Sequence, residues 1–218
     1  MKKYFNTASK LICVVLAFVL VLPTLASCSK PPELETVKDE LVDLIEGAYE
    51  INEIFFGSGL ETVDNTLIDK PVRGYEYVAE DCKYLTTTSI KLAAEEIYTM
   101  DFLKGVYQTA FDGYADGDVG IVAARFLDEG GYLLQEENIE SQLNGVKKYD
   151  YSTMKIVKPS TQDLLNVEIE CWLEDVVNAD QYKDLPGEMG QLMRGERVKV
   201  TLSFVLTALG WRLDTPSY

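Results

Sequence analysis

The apolar positions between residues 33 and 56 follow the period of a helix. They recur every three or four residues, and acidic residues fill much of the remaining face. This spacing puts the apolar side chains in one stripe of an α-helix. The members of the stripe are Leu34, Val37, Leu41, Leu44, Ile45, Ala48, Ile51 and Phe55. We therefore predict one long amphipathic helix over Glu33–Phe56, ended by the glycines that follow.

The next part of the chain predicts one strand and two helices. Gly74–Ala79 has the aromatic and β-branched residues of a strand. The hydroxyl residues at 86–89 offer N-caps to a helix that runs to about Tyr98. Thr99 can cap a second helix over about Met100–Ala110. The glycine- and aspartate-rich stretch after it predicts a loop.

From residue 121 onward the apolar period changes to two, which is typical of strands. Cys171 and its apolar neighbours alternate with polar positions, which indicates a sheet with one buried face. Two glycines at 130–131 predict a hairpin turn. The predicted strands are Ile121–Leu127, Tyr132–Gln135, Tyr151–Lys158, Leu165–Glu174, Arg197–Thr207 and Trp211–Asp214. This order predicts an α+β fold with N-terminal helices packed on a curved antiparallel sheet of about five to six strands.

The first 27 residues have the layout of a secretory signal. Three lysines precede an apolar run, Leu11–Leu22, that is too short for a bilayer span of about 20 residues. The run ends at Leu25-Ala26-Ser27-Cys28, which resembles the bacterial lipobox. The resemblance implies cleavage before Cys28 and attachment of lipid, with palmitate as the expected acyl chain, to its thiol. The alternative is an ordinary secretory signal with an incidental cysteine.

This arrangement predicts the organisation and location of the protein. A signal peptide covers 1–27, a short tether covers 28–32, and one α+β domain covers 33–218. The domain is long enough to bury one ordinary hydrophobic core. We expect it in the cell envelope, anchored to the membrane through Cys28 and exposed outside the cytoplasm.

The composition is acidic and lacks histidine. The chain has 36 Asp and Glu against 20 Lys and Arg, a net charge of −16. This charge argues against nucleic acid and anionic lipid as partners, because phosphate contacts need basic side chains. The absence of histidine excludes Ser-His-Asp and Cys-His catalysis and the usual histidine-bearing zinc sites. No cofactor and no metal site is predicted.

Two cysteines, Cys82 and Cys171, lie in the predicted domain. An exported pair can oxidise to a disulfide. The alternative is two buried free thiols that act as small hydrophobic side chains. Sequence spacing fixes no geometry, so both interpretations remain open.

The C-terminal strand pair carries a family resemblance. After the long first helix, VKVTLSFVLTALGWRLDTPSY combines a long strand, a glycine-containing turn and a tryptophan on the return strand. This resembles the nuclear-transport-factor-two-like superfamily, a cystatin-like α+β cone. The resemblance implies a pocket in the cone, where some relatives use a tyrosine and two carboxylates for proton transfer. A fainter similarity, in YTMDFLKGVYQTAF followed by ARFLDEGGYLL, is to secreted inhibitors of bacterial cell-wall DL-endopeptidases.

Trp172 and the segment 175–195 form the predicted interaction surface. Strand alternation places Trp172 opposite Cys171, on the solvent side, where a helix or a partner must cover it. The segment exceeds the usual connection of about 4–6 residues, which indicates function or disorder. Its apolar members of interest are Tyr182, Leu185 and Leu192. The segment is either a lid on its own domain or a contact surface for a partner.

The sequence favours a lipid-anchored, extracytoplasmic binding or interaction protein without catalytic activity. Its expected partner is an unidentified protein or small ligand, and the outward Trp172 also suits a homodimer. Two alternatives stay open. One is an inhibitor of a cell-wall hydrolase, and the other is a carrier or enzyme for a small hydrophobic ligand with the cone-shaped fold.

Overall fold

The structure is a computed structural model that describes residues 30–63, 72–117, 120–143, 145–174, 176 and 182–217. Cys28 and the predicted signal peptide lie outside the described residues. Lipidation and signal cleavage therefore stay predictions.

The described residues contain four α-helices. Their bounds are α1 Leu34–Phe56, α2 Thr87–Ile97, α3 Met100–Tyr107 and α4 Gly187–Met193, with a π-helical turn at Gln108–Asp112 after α3. The three helices predicted from the sequence are confirmed, and so are the N-caps predicted for α2 and α3. The Thr86 side chain accepts a hydrogen bond from Ser89 N, and the Thr99 hydroxyl accepts one from Phe102 N at 3.2 Å. These hydroxyls satisfy amide donors that a helix start leaves unpaired.

The described strands pair in three antiparallel sheets. The strands are β1 Thr62–Val63, β2 Tyr75–Val78, β3 Tyr114–Asp116, β4 Gly120–Val122, β5 Phe126–Glu129, β6 Tyr132–Glu136, β7 Lys147–Val157, β8 Leu164–Leu173, β9 Val198–Thr207 and β10 Gly210–Leu213. The first sheet has the order β1-β2-β6-β5, the second has the order β10-β9-β8-β7, and β3 and β4 form a two-stranded ribbon. The mixed α+β class is confirmed, but the strands are divided among three sheets where one sheet was predicted.

The division arises within the predicted strand Ile121–Leu127. Its first part belongs to β4 and pairs with β3, whereas its second part belongs to β5 and pairs with β6. Ile121 is 88% exposed, so this apolar residue does not mark a core position. A run of apolar letters cannot distinguish one long strand from two short ones in different sheets.

The core lies between α1 and the inner face of the second sheet. The predicted stripe of α1 is buried from Leu41 to Phe55, whereas Leu34 and Val37 are only partly buried. Asn52 and Ile54, which lie outside the predicted stripe, are buried as well. On β8, every second residue from Leu165 to Leu173 is buried, which confirms the predicted alternation. A shift of register between Asp150 and Lys155 interrupts the pairing of β7 with β8.

The C-terminal end of the chain is held in the interior by a polar network. Tyr98 donates from its hydroxyl to Asn52 Oδ1 at 2.7 Å, and Asn52 Nδ2 donates to Ser217 Oγ at 3.1 Å. Tyr149 donates to the Ser217 carbonyl at 2.9 Å. All four residues are buried, so the network satisfies polar groups that water does not reach.

Candidate functional site

An open cleft of about 930 Å³ lies at the C-terminal end of α1. Helix α3, the β3–β4 ribbon and the segment after β6 complete its walls. The main apolar side chains on these walls are Phe55, Phe56, Phe102, Val106 and Ile139. A concave site with mostly apolar walls and a few polar groups is the usual form of a ligand site.

The aromatic wall follows from where α1 stops. The amide of Gly57 donates to the carbonyls of Asn52 and Glu53, which closes the helix directly after Phe55 and Phe56. A Cβ at Gly57 would lie 2.9 Å from Glu53 Cα, so only glycine fits there without a shift. The Phe55 ring packs edge-on against Phe111, with centroids 5.9 Å apart. This packing fixes one wall of the cleft.

Arg125 supplies a buried positive charge to the cleft. Its backbone is held at the start of β5, because Glu136 N donates to the Arg125 carbonyl at 2.9 Å. The side chain is 8% exposed, and its Nη2 donates to the Gly57 carbonyl. Its Nε has no hydrogen-bond partner among the described residues. Burial lowers the pKa of Arg125 to about 10, with opposing effects from Glu136 and Glu53, so the group remains charged at neutral pH.

The unpaired Nε–H of Arg125 indicates a place for the hydrogen-bond acceptor of a ligand. Leaving a buried donor without an acceptor costs about 1–3 kcal/mol, and more when the group is charged. Nε itself is closed to solvent in this conformation, so a turn of the Arg125 guanidinium toward the cleft would let a bound molecule with an oxygen acceptor pair with it. The apolar part of that molecule would cover the phenylalanine wall. Glu136 and Glu140 also line the cleft. The cleft therefore has positively and negatively charged side chains among its apolar walls.

The predicted surface residue Trp172 lies on the outer face of β8, as the alternation indicated. It is half-buried by its own domain. The Arg197 guanidinium carbon lies 4.4 Å from the centre of its ring, and Arg197 also pairs with Asp150 at 3.0 Å. A cation held over a ring in this way shields its face. Arg197 thus covers one face of the half-buried Trp172 ring within the molecule, and a partner surface at Trp172 stays a prediction.

The predicted interaction segment contains a helix that the sequence did not indicate. Leu192, on α4, is only 4% exposed and joins the core, and Tyr182 packs against the core from outside. Leu185 is 41% exposed. Arg194 Nη1 donates to the carbonyls of Tyr182 and Leu185 at 3.1 and 3.0 Å. These contacts agree with a lid that closes on its own domain.

The two cysteines are free thiols in the structure. Cys82 follows β2 of the first sheet, and its Sγ lies 3.5 Å from the Glu61 carbonyl oxygen. Cys171 is buried on the inner face of the second sheet, where burial raises the pKa of its thiol. The disulfide considered from the sequence is therefore not formed here. Within the described part of the chain, no group of three or more Cys, Asp or Glu side chains could hold a metal ion.

Sequence reasoning missed the cleft, although one signal was visible. Arg125 is the single charged residue in IVAARFL, residues 121–127. A charge inside an apolar strand is rarely buried unless it has a partner or a role. Phe55, Phe102 and Ile139 form the other walls. They lie far apart in the sequence, so no local pattern groups them.

Where the chain is described, no helix combines the length and apolarity needed to cross a bilayer. A scan against protein-family models gave no match, and a search of curated proteins gave none either.

Proposed function

We propose that this protein is a lipid-anchored, extracytoplasmic binding protein without catalytic activity, and that the cleft beside Arg125 holds its ligand. The observation that carries the proposal is the buried Arg125 Nε, which lacks an acceptor in a cleft with apolar walls. The ligand class that fits is a molecule with an apolar body and an oxygen acceptor, such as a carboxylate or an amide carbonyl.

The anchoring part of the proposal is supported by the N-terminal sequence. A lysine-rich start, an apolar run and Leu25-Ala26-Ser27-Cys28 occur in the order of a lipoprotein signal. The described domain starts close behind, because Lys30 is exposed and α1 begins at Leu34. A domain placed so soon after the lipid stays near the membrane surface.

A relation to the cone-shaped superfamily is part of the same proposal. It is supported by α1, which packs on the second sheet, and by the shift of register that interrupts β7. Irregularities of this kind bend strands. The first sheet, α2, α3 and the ribbon then form an insertion between α1 and β7, and the cleft lies where this insertion meets the end of α1.

Binding is a better match to the site than proton transfer. The buried tyrosines Tyr98 and Tyr149 donate to Asn52 and Ser217 within the C-terminal network, and neither lines the cleft. Tyr114 does line the cleft, but it is 37% exposed. The acidic groups that do line it, Glu136 and Glu140, are not enclosed by the core. A carboxylate needs burial or a like-charged neighbour to become a base near neutral pH.

The cleft is tested by titration with 8-anilinonaphthalene-1-sulfonate, an aromatic probe that carries an anionic acceptor. We expect one saturable site in the wild type. Arg125→Met should weaken probe binding roughly tenfold, equivalent to about 1.4 kcal/mol for one lost charged hydrogen bond. Val106→Trp should abolish it, because the larger ring fills the cleft while Arg125 is unchanged.

Leu92→Trp is the matched control, since Leu92 is 60% exposed on α2 and does not line the cleft. It should bind the probe like the wild type. Unchanged binding by Val106→Trp would refute the cleft as the site. A stable complex with a secreted cell-wall hydrolase that survives Val106→Trp, seen by native mass spectrometry, would instead support the inhibitor alternative.

The anchor is tested by Cys28→Ala. This variant lacks the thiol that would carry the lipid, so it should leave the membrane fraction and appear in the medium or the soluble envelope fraction. Membrane fractionation with immunoblotting measures the change. A variant that remains wholly in the membrane fraction contradicts anchoring through Cys28.

A further inference from the structure

Two leucines at the β9–β10 turn are exposed on one end of the molecule. Leu209 is 81% exposed at the tip of the turn, and Leu206 is 42% exposed on the last part of β9. Strand alternation predicts Leu206 on the buried side together with Phe204. It lies in solvent because β9 extends beyond the core at this end.

The turn that carries these leucines is firmly held. Thr207 Oγ1 accepts a hydrogen bond from Leu209 N at 3.1 Å and donates to the Gly210 carbonyl at 2.8 Å. The next amide, that of Trp211, donates to Glu40 Oε1 on α1 at 2.9 Å. Leu209 is thus presented by an ordered hairpin tied to the first helix.

The chain enters the domain beside this turn. Lys30 and Pro32 line one shallow depression together with Leu206 and Trp211. Cys28 is two residues before Lys30, and two residues of extended chain span at most about 7 Å. A lipid on Cys28 would therefore hold Lys30, and with it this end of the protein, within about 7 Å of the lipid-bearing residue.

We infer that Leu206 and Leu209 insert into the membrane that holds the Cys28 lipid, so that the protein docks on a phospholipid bilayer in one orientation. This inference rests on the proposed anchor. Charged residues near the turn include Lys30, Glu40, Arg212 and Asp163, and the Asp163 carbonyl accepts from Leu206 N at 2.9 Å. With both signs present and an acidic chain, insertion of apolar side chains drives docking, and an anionic lipid surface is not required.

The experiment uses the full lipidated chain, isolated from membranes and reconstituted in phosphatidylcholine vesicles with bromine atoms near the start of the acyl chains. Leu209→Trp places a fluorophore at the turn, and the unsubstituted protein gives the emission of the native Trp172 and Trp211 to subtract. We expect the added emission to fall roughly twofold on brominated lipid, because interfacial side chains lie about 5–10 Å into the bilayer boundary. Ile121→Trp, on β4 beside the cleft, is the control and should not be quenched.

The outcomes separate this inference from the anchor. If the protein floats with the vesicles and Leu209→Trp is not quenched, the anchor stands and docking through the turn is overturned. Equal quenching of Leu209→Trp and Ile121→Trp also overturns it, because the orientation is then not fixed. A protein that does not float with the vesicles overturns the anchor and the docking together.

Discussion

At the scale of single residues, the buried hydroxyl of Tyr98 shows how a polar group in the interior of this protein finds its hydrogen-bond partners. It donates to Asn52 Oδ1 and lies 2.9 Å from Ser217 Oγ. Its ring stacks on Phe102, with centroids 4.5 Å apart. The residue therefore connects α1, α3 and the C-terminal end of the chain through one side chain.

We predict that Tyr98→Phe lowers the free energy of unfolding by about 1–3 kcal/mol, because the buried Asn52 Oδ1 loses its donor. Urea denaturation followed by circular dichroism measures the change. Tyr132→Phe is the control: Tyr132 is 54% exposed, and the loss of its hydroxyl should cost less than about 0.5 kcal/mol. Equal effects of the two substitutions would show that the network does not stabilise the fold.

At the scale of elements, α4 closes one end of the second sheet. The helix is seven residues long, and it contacts β8 and β9. Leu192 and Met193 point into the core, whereas Met189 is 51% exposed. Gly190 is enclosed, since a Cβ there would lie 1.8 Å from the Leu185 carbonyl oxygen. So short a helix depends on these contacts and not on its own propensity.

We predict that Leu192→Ala lowers the free energy of unfolding by about 2–5 kcal/mol, through lost burial and the cavity left behind. Met189→Ala lies one turn away on the same helix and should cost less than about 0.5 kcal/mol. Thermal unfolding of both variants measures these changes and tests whether the segment is a lid on its own domain. If Leu192→Ala melts like the wild type while an interaction with an envelope protein is lost, the segment is a partner surface.

Some elements of the fold could be predicted from the sequence, and others could not. The helix over Glu33–Phe56 and the alternation around Cys171 could be predicted, because each has a regular period over more than two turns or pleats. Helix α4 could not, because its seven residues include two glycines and follow a proline, which are loop signals. The cleft could not either, since Phe55, Arg125 and Ile139 meet only through the tertiary fold.

At the scale of the whole molecule, α1 connects the proposed ligand cleft to the proposed membrane contact. Its first turns lie near the β9–β10 hairpin, through the bond from Trp211 N to Glu40, and its last residues form the cleft wall. The insertion between α1 and β7 therefore carries the proposed ligand cleft at the end opposite to the proposed membrane contact. The proposed ligand cleft and the proposed membrane contact therefore use different residues.

The length of α1 has a consequence for where a ligand is met. Its 23 residues correspond to a rod of about 35 Å. With the lipid end seated on the bilayer, the cleft stands off from the membrane by as much as this distance, beyond the headgroup layer and beyond the reach of an embedded lipid tail. The ligand would then bind from the aqueous layer outside the membrane, and the length of α1 would set the distance between the bilayer and the cleft.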